Sequence, residues 1–272
     1  MFKFFQHPQK HFLRHQLTVK LKTLDSIVEE REPFLLNTLE KYTVYNRFLA
    51  SHLRGEAVSV KRLKAEGLWL SGVLGDLEFE KQNAEILDFA EKINTKNIGD
   101  RIEDVMIDLH FNGLRLVGKL SNCHTNGGLF YRYTSLKGKD FIGALLHHLL
   151  INQVSPQSTY LFSRNDKEPQ LDELVFSPEL ATSDLLTELL KIYQNGLQQP
   201  DTFFTEAFFA YLKAEKDRLN AATKKLRYDL SADHEVELQR FLDDKTIENV
   251  LNEDFEETCK TFFTLWRELV KK

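Results

Sequence analysis

Cysteine is scarce in this chain of 272 residues. The two thiols, Cys123 and Cys259, are too few for a disulfide framework or a structural zinc site. Such a pair suits a reducing compartment. Long apolar runs are also missing. Nothing approaches the ~20 residues that a membrane helix requires, so no membrane segment is expected. Phe2, Phe4 and Phe5 crowd the start, but charged and polar residues interrupt them, and the stretch does not read as a signal peptide. A basic excess is absent too. Net charge is −5, whereas a stand-alone grip on nucleic acid usually needs a positive surface. There is no Gly-x-x-x-x-Gly-Lys-Ser/Thr stretch, so ATP binding is not indicated. No internal repeat or low-complexity segment stands out.

Hydrophobic residues make up 42% of the chain, enough for one large domain or two small ones. Charge is segregated. Residues 1–22 carry Lys3, Lys10, Arg14, Lys20 and Lys22 with no acid, while 229–257 is dominated by Asp and Glu. That pattern fits a subunit meeting different partners on different faces, or simply solvated helix faces. The start reads as helix broken at His7-Pro8, and Leu17–Leu21 alternates like a short strand. Asn37 and Glu40 form a capping-box pair ahead of Leu39, Tyr42, Tyr45, Leu49 and Leu53 at helical spacing. Gly67, Gly72 and Gly75 punctuate a loop. Phe79, Ile86, Leu87, Ala90 and Ile93 then mark another helix.

The period changes near residue 103. Val105, Ile107, Leu109 and Phe111 alternate with polar neighbours, then Asn112-Gly113 leads into Leu114, Leu116 and Gly118, a strong hairpin signal. Asn126-Gly127-Gly128 predicts a second turn into Leu129–Tyr133, giving three antiparallel strands in a meander. Phe141 to Leu150 is apolar nearly all round and reads as a buried helix. Thr159–Ser163 and Leu174–Phe176 read as strands joined by the charged turn 164–169. A helix follows from about Thr182 to Gln199, and the remainder is mostly helical. It ends in Phe262, Phe263, Leu265, Trp266 and Leu269, a cluster large enough to dock on the body. The expected fold class is α+β: a small sheet flanked by helices, with helical N- and C-terminal extensions.

Residues 118–137 have the strand–turn–strand frame of a nuclease active site without its acids. Restriction-like nucleases place one acid on a strand and an acid-x-Lys triplet on the next, so that two carboxylates hold Mg²⁺ and the lysine helps activate water. Here the first position reads Ser121 and the triplet reads Arg132-Tyr133-Thr134. A hydroxyl and a guanidinium cannot hold a divalent cation against water. Elsewhere, among all Asp and Glu with Lys two positions on, the pattern fits only Asp243-Asp244-Lys245, in the helical C-terminal region. Pro200-Asp201 closes a helix rather than entering a sheet. Chance accounts better for both. His147-His148 point about 100° apart on their helix and cannot form a same-face ligand pair; they read as packing and surface residues.

Several stretches in order resemble the C-terminal domain of the gamma subunit of exonuclease V, the RecC family. They are Phe5-Gln-His-Pro-x-x-x-Phe-Leu13, Glu32-Pro33-Phe34 with Leu36, Leu39 and Tyr42, the Gly67–Gly75 loop, Asn112-Gly113-Leu114 with Gly118, and Gly128-Leu129 with Arg132 and Ser135-Leu136. Residues after about 205 match loosely. The resemblance implies a PD-(D/E)xK-type, restriction-endonuclease-like fold with a degenerate site and no catalytic residue or metal. On that reading 1–272 is a single domain of this type: a mainly helical opening region over 1–100, the nuclease-like sheet and helices over 101–200, and a helical region over 201–272. The full subunit would be much longer. It would work in the bacterial cytoplasm beside a beta subunit (helicase and nuclease) and an alpha subunit (helicase). Those partners, not this domain, would use Mg²⁺ and ATP. The complex would act on double-stranded DNA ends and the single strands they yield, splitting and routing DNA for recombinational repair. Active relatives can carry a four-cysteine iron–sulfur cluster, which two cysteines cannot supply.

Arg115, Lys119, Arg132, Lys137 and Lys139 cluster around the old active-site strands and are candidate DNA contacts, or lysines of a solvated sheet edge. Phe111, near the hairpin tip, is a candidate wedge against a base pair, or part of an ordinary hairpin. Phe203, Phe204, Phe208 and Phe209 are expected to be exposed and to suit docking on a partner, although Phe pairs at this spacing also occur in cores. Two other functions compete with DNA routing. One is an active metal-dependent nuclease with an unconventional site, and the other a protein-interaction domain with no DNA contact.

Overall fold

The computed structural model describes residues 1–19, 21, 36–111, 113–165, 171–180, 183–199, 203–232, 235–243 and 245–270. Lys20, Glu32-Pro33-Phe34, Asn112, most of the 164–169 turn, Thr182, Pro200-Asp201 and Asp244 lie outside the described residues. Helices α1 (Phe2–Gln6) and α2 (Pro8–His15) part at His7, whose φ of −162° and ψ of 85° are what a following proline imposes. The His7 ring accepts the Lys10 N–H at 3.2 Å and so caps α2. The strand expected at Leu17–Leu21 is not there: Leu17, Thr18, Val19 and Leu21 are irregular. Thr18 turns at φ +53°, and the Val19 N–H closes back on the Leu13 carbonyl at 2.8 Å.

Helix α3 (Thr38–Leu53) starts at the expected capping box, with both reciprocal bonds made. Its buried stripe is Val44, Phe48 and Leu49; Leu39, expected in the seam, is 73% exposed. After α4 (Val60–Ala65), Gly72 and Gly75 belong to α5 (Gly72–Asn94) rather than to a loop. Gly75 is required there because a Cβ would stand 2.2 Å from the Leu70 carbonyl oxygen.

Strands β1 (Val105–Phe111) and β2 (Leu114–Leu120) make the predicted hairpin, in register from Val105↔Leu120 to Phe111↔Leu114. The meander does not continue. Asn122, at φ +63°, redirects the chain into β3 (Cys123–His124), which pairs with β4 (Gly127–Arg132). Helix α6 (Gly138–Ile151) then crosses over and brings β5 (Thr159–Arg164) parallel to β4; β6 (Leu171–Phe176) follows antiparallel. The hairpin is thus one sheet, and β3-β4-β5-β6 is another.

Alternation along β4 and β5 assigns the layers. Phe130 and Leu161 face the core built on α6, whereas Leu129, Tyr131, Tyr160 and Phe162 face the core built on α3 and α5. The α6 side also gathers α1, α7 (Ser183–Gly196), α8 (Thr205–Lys213), α9 (Arg218–Leu230), α10 (Val236–Leu242), α11 (Ile247–Val250) and α12 (Glu253–Val270). The terminal cluster docks as expected: Phe262, Leu265 and Leu269 are buried, and Trp266 meets Phe141 and Phe209 edge-on at 5.4 Å. The expected exposure of Phe203, Phe204, Phe208 and Phe209 is wrong. None is more than 4% exposed, because α8 wedges between α6 and α12. His147 and His148 also leave no surface residue; at 2% and 0% exposure both are core.

Residues just before β1 lace onto the β3–β4 turn. Ile102 N–H donates to the Cys123 carbonyl, Thr125 N–H to Asp100, and Asn126 N–H to Ile98. Gly99 sits in this lacing at φ +82°, and a Cβ there would lie 1.9 Å from Thr125 Oγ1. Gly99→Ala is therefore expected to cost about 1–3 kcal/mol, read as a fall in the urea midpoint. Adding Thr125→Ala should recover the steric part and leave the backbone part. An unshifted midpoint in the single variant would show that the lacing yields freely.

Candidate functional site

The positions that the sequence suggests as a degenerate site do not converge. Ser121 lies between β2 and β3, outside the two-residue β3–β4 ladder, and bonds the Asp104 carboxylate. Asp104 also pairs with Lys119 at 2.9 Å, and together with the Arg101 charge these neighbours hold its carboxyl below the usual range. This acid just ahead of β1 is a spatial neighbour of Ser121 that a search along the sequence could not find.

The triplet at the end of β4 is knitted into the fold. Arg132 is 6% exposed. Its Nε donates to Thr134 Oγ1 at 2.7 Å and to the Ser135 carbonyl at 3.1 Å. Its Nη1 donates to the Tyr42 hydroxyl at 3.3 Å and stands 3.2 Å from Asp140 Oδ2, and the guanidinium lies 4.6 Å above the Tyr42 ring. Burial raises the Asp140 carboxyl pKa, against the pull of Arg132. The Arg132 charge thus ties α3, β4 and α6 together. Tyr133 is 2% exposed between Tyr45 and Phe89, with the Arg164 guanidinium 4.9 Å over its ring. Thr134 accepts from Arg132 through its hydroxyl and from the Arg164 N–H through its carbonyl. No hydrogen bond joins Ser121 to the triplet, and no cluster of three His, Cys, Asp or Glu suited to a metal occurs among the described residues.

The other cations occupy two separate places. Arg115 and Lys119 lie on the exposed face of the hairpin, paired with Asp108 at 2.7 Å and Asp104 at 2.9 Å. Lys137 and Lys139 are exposed at the start of α6, where Glu206 accepts the N–H groups of Gly138 and Lys139. Phe111 is half-buried against the α6-side core. Asp243 pairs with Arg240, and Lys245 lies over Phe241, in the connection between α10 and α11.

Comparison with known proteins identifies the family. The family model for the RecC C-terminal domain matches residues 1–216. The chain belongs to the RecC C-terminal domain family. RecBCD enzyme subunit RecC of Escherichia coli (strain K12) is 27% identical over 224 residues, 81% of this chain and 19% of that protein. The same subunit of Buchnera aphidicola subsp. Acyrthosiphon pisum (strain APS) is 24% identical over 230 residues, 82% of this chain and 21% of that protein. The chain spans about a fifth of the length of these curated RecC relatives. The match ends just beyond α8, so α9 to α12 lie outside it. No helix of the described residues is long and apolar enough to cross a membrane.

Proposed function

We propose that this RecC-type domain is a non-catalytic scaffold of an exonuclease V complex, in the bacterial cytoplasm. It packs beside the beta and alpha subunits and helps split and route DNA at double-strand ends for recombinational repair. Mg²⁺ and ATP belong to the partners. The observation that carries this reading is Arg132. A cation stands at the position of the first acid of a nuclease triplet, and it is committed to Asp140, Tyr42, Thr134 and Ser135. Such a centre has no second carboxylate with which to clamp a metal.

Two measurements test the proposal. Affinity capture from the native cells should recover the beta and alpha subunits. The purified chain should leave single- and double-stranded DNA intact in Mg²⁺ or Mn²⁺. Cleavage that disappears in Asp243→Ala would instead make the chain a nuclease.

DNA contact falls to the exposed candidates Arg115, Lys119, Lys137 and Lys139, whose paired or free ammonium and guanidinium groups can hold phosphates by charge. Binding through them should weaken steeply with salt. A salt-independent interaction would favour a protein-only role. Phe111→Ala in the assembled complex should slow unwinding about tenfold if the ring stacks on an unpaired base. Unchanged unwinding by a correctly folded variant would remove the wedge from the mechanism.

A further inference from the structure

A cavity of 520 Å³ opens on the α3/α5 side of the four-stranded sheet. Tyr131 lines it, and strand alternation turns Tyr131 away from the face of Phe130 and Arg132. Arg54, from the C-terminal end of α3, stands on one side. Arg101 and His124 stand on the other, their backbones bridged where the residues before β1 lace onto β3. Asn94 and Asn122 complete the polar wall.

Three of these groups are unspent. The Arg101 guanidinium makes no ion pair or hydrogen bond among the described residues, although its residue is exposed. His124 Nδ1 is buried with no hydrogen-bond partner, an arrangement that costs free energy unless something fills it. The Tyr131 hydroxyl likewise has no partner there. Arg54 and Arg101 both act to lower the Tyr131 pKa against the rise caused by burial, which places their positive potential at that hydroxyl. The opposing acids are Glu56, which takes the Arg54 fork at 2.9 and 2.7 Å, Asp100 on the rim, and Asp104, which feels the Arg101 charge but is itself bonded by Lys119 and Ser121. Arg101, His124 and Tyr131 all line the same space. Guanidinium and N–H or O–H donors together form the usual receptor for phosphate oxygens.

We propose that this cavity is a phosphate-ester site that receives one nucleotide unit. Arg101 and His124 hold the phosphate beside the Tyr131 hydroxyl, and the Asn94 and Asn122 amides meet the base edge. The volume falls within the range of about 300–1,000 Å³ found for small-ligand pockets. The site stands on the cavity alone. None of the candidate DNA cations lines it, and it can fail without affecting the scaffold reading, or survive that reading's failure.

The test uses the full 272-residue chain and three probes: deoxythymidine 5′-monophosphate, thymidine, and an eight-residue oligodeoxythymidylate. Binding is followed by titration calorimetry and by the His124 ring NMR signals, identified by their loss in His124→Gln. At least one phosphate-bearing probe should move those signals, with thymidine about tenfold weaker or silent. Arg101→Ala should weaken binding about tenfold, and Tyr131→Phe should weaken it less, both with unchanged thermal melts. Equal binding of the monophosphate and the oligonucleotide identifies a free nucleotide as the ligand; binding of the oligonucleotide alone identifies a strand. The proposal is overturned if neither phosphate probe moves the His124 signals, if thymidine binds as well as its phosphate, or if folded Arg101→Ala binds like the parent.

Discussion

Acidification from pH 6.5 to 4 is expected to remove on the order of 3 kcal/mol of stability for each of two histidines. Burial pushes His147 and His148 down to about 4. The His148 Nε2–H donates to the Ser177 carbonyl at 3.0 Å, and its Nδ1 faces Thr159 Oγ1 at 3.1 Å. The ring is therefore held neutral with its proton on Nε2. His147 Nε2 lies 3.5 Å from the Cys123 thiol, while its Nδ1 has no partner. A free histidine titrates near 6.5, so between 6.5 and 4 the unfolded chain binds more protons than the folded one. Stability falls as pH drops through that window. Asp140 and Asp229, whose pKa values burial raises, act in the opposite sense at the acid end. Urea midpoints at pH 7 and pH 4.5 measure the effect. His148→Gln should flatten the dependence; an equally steep slope would place the sensitivity elsewhere.

Removing the Arg132 side chain should cost about 3–5 kcal/mol at neutral pH, the usual loss when one partner of a buried ion pair is taken away. Arg132→Ala leaves the Asp140 carboxylate without its cation and removes the Arg132 hydrogen bonds to Tyr42 and Ser135. The Asp140 pKa should then rise further, so the deficit should shrink as the pH falls and the acid takes up a proton. Arg132→Lys should recover only part, because an ammonium cannot reproduce the fork across Thr134, Ser135 and Asp140. Denaturation at pH 7 and pH 5 measures both. A loss below about 1 kcal/mol would mean that water screens the pair as it does at a surface. Arg132→Asp, the formal reversal toward a nuclease triplet, should destabilise as well, by setting two carboxylates together.

Local patterns carried much of the architecture. The Asn37/Glu40 box, the break at His7-Pro8, the β1–β2 hairpin and the buried α6 can each be read over a dozen residues or fewer, because capping, proline geometry and period are local. Pairing was less legible. Leu129–Tyr133 reads as the third strand of a meander from its turn alone, yet the parallel partner β5 is supplied from beyond α6. Burial went wrong for a related reason. Phe203, Phe204, Phe208 and Phe209 look alike as core or as docking surface, and distant partners decide which: α1 for Phe203, and α12, about fifty residues on, for Phe208 and Phe209. The apolar run around His147-His148 did signal a buried helix, and the same signal could have placed both rings inside it. Nothing in the sequence joins Arg132 to Asp140 and Tyr42, since a strand end, a helix start and a helix ninety residues earlier meet only in three dimensions. The Arg101–His124 cavity is equally invisible, for it depends on lacing across the sheet edge.

The first helix has partners about two hundred residues further along the chain. The Phe5 carbonyl accepts the Thr205 hydroxyl, 200 positions away, and Gln9 donates to the Phe203 carbonyl across 194. Phe4 packs on Gly196 so closely that a Cβ there would stand 2.3 Å from the ring. At about 5–20 residues per second, roughly 10 to 40 s separate the appearance of these aromatics from that of their binding groove. For that interval Phe4 and Phe5 lack these partners.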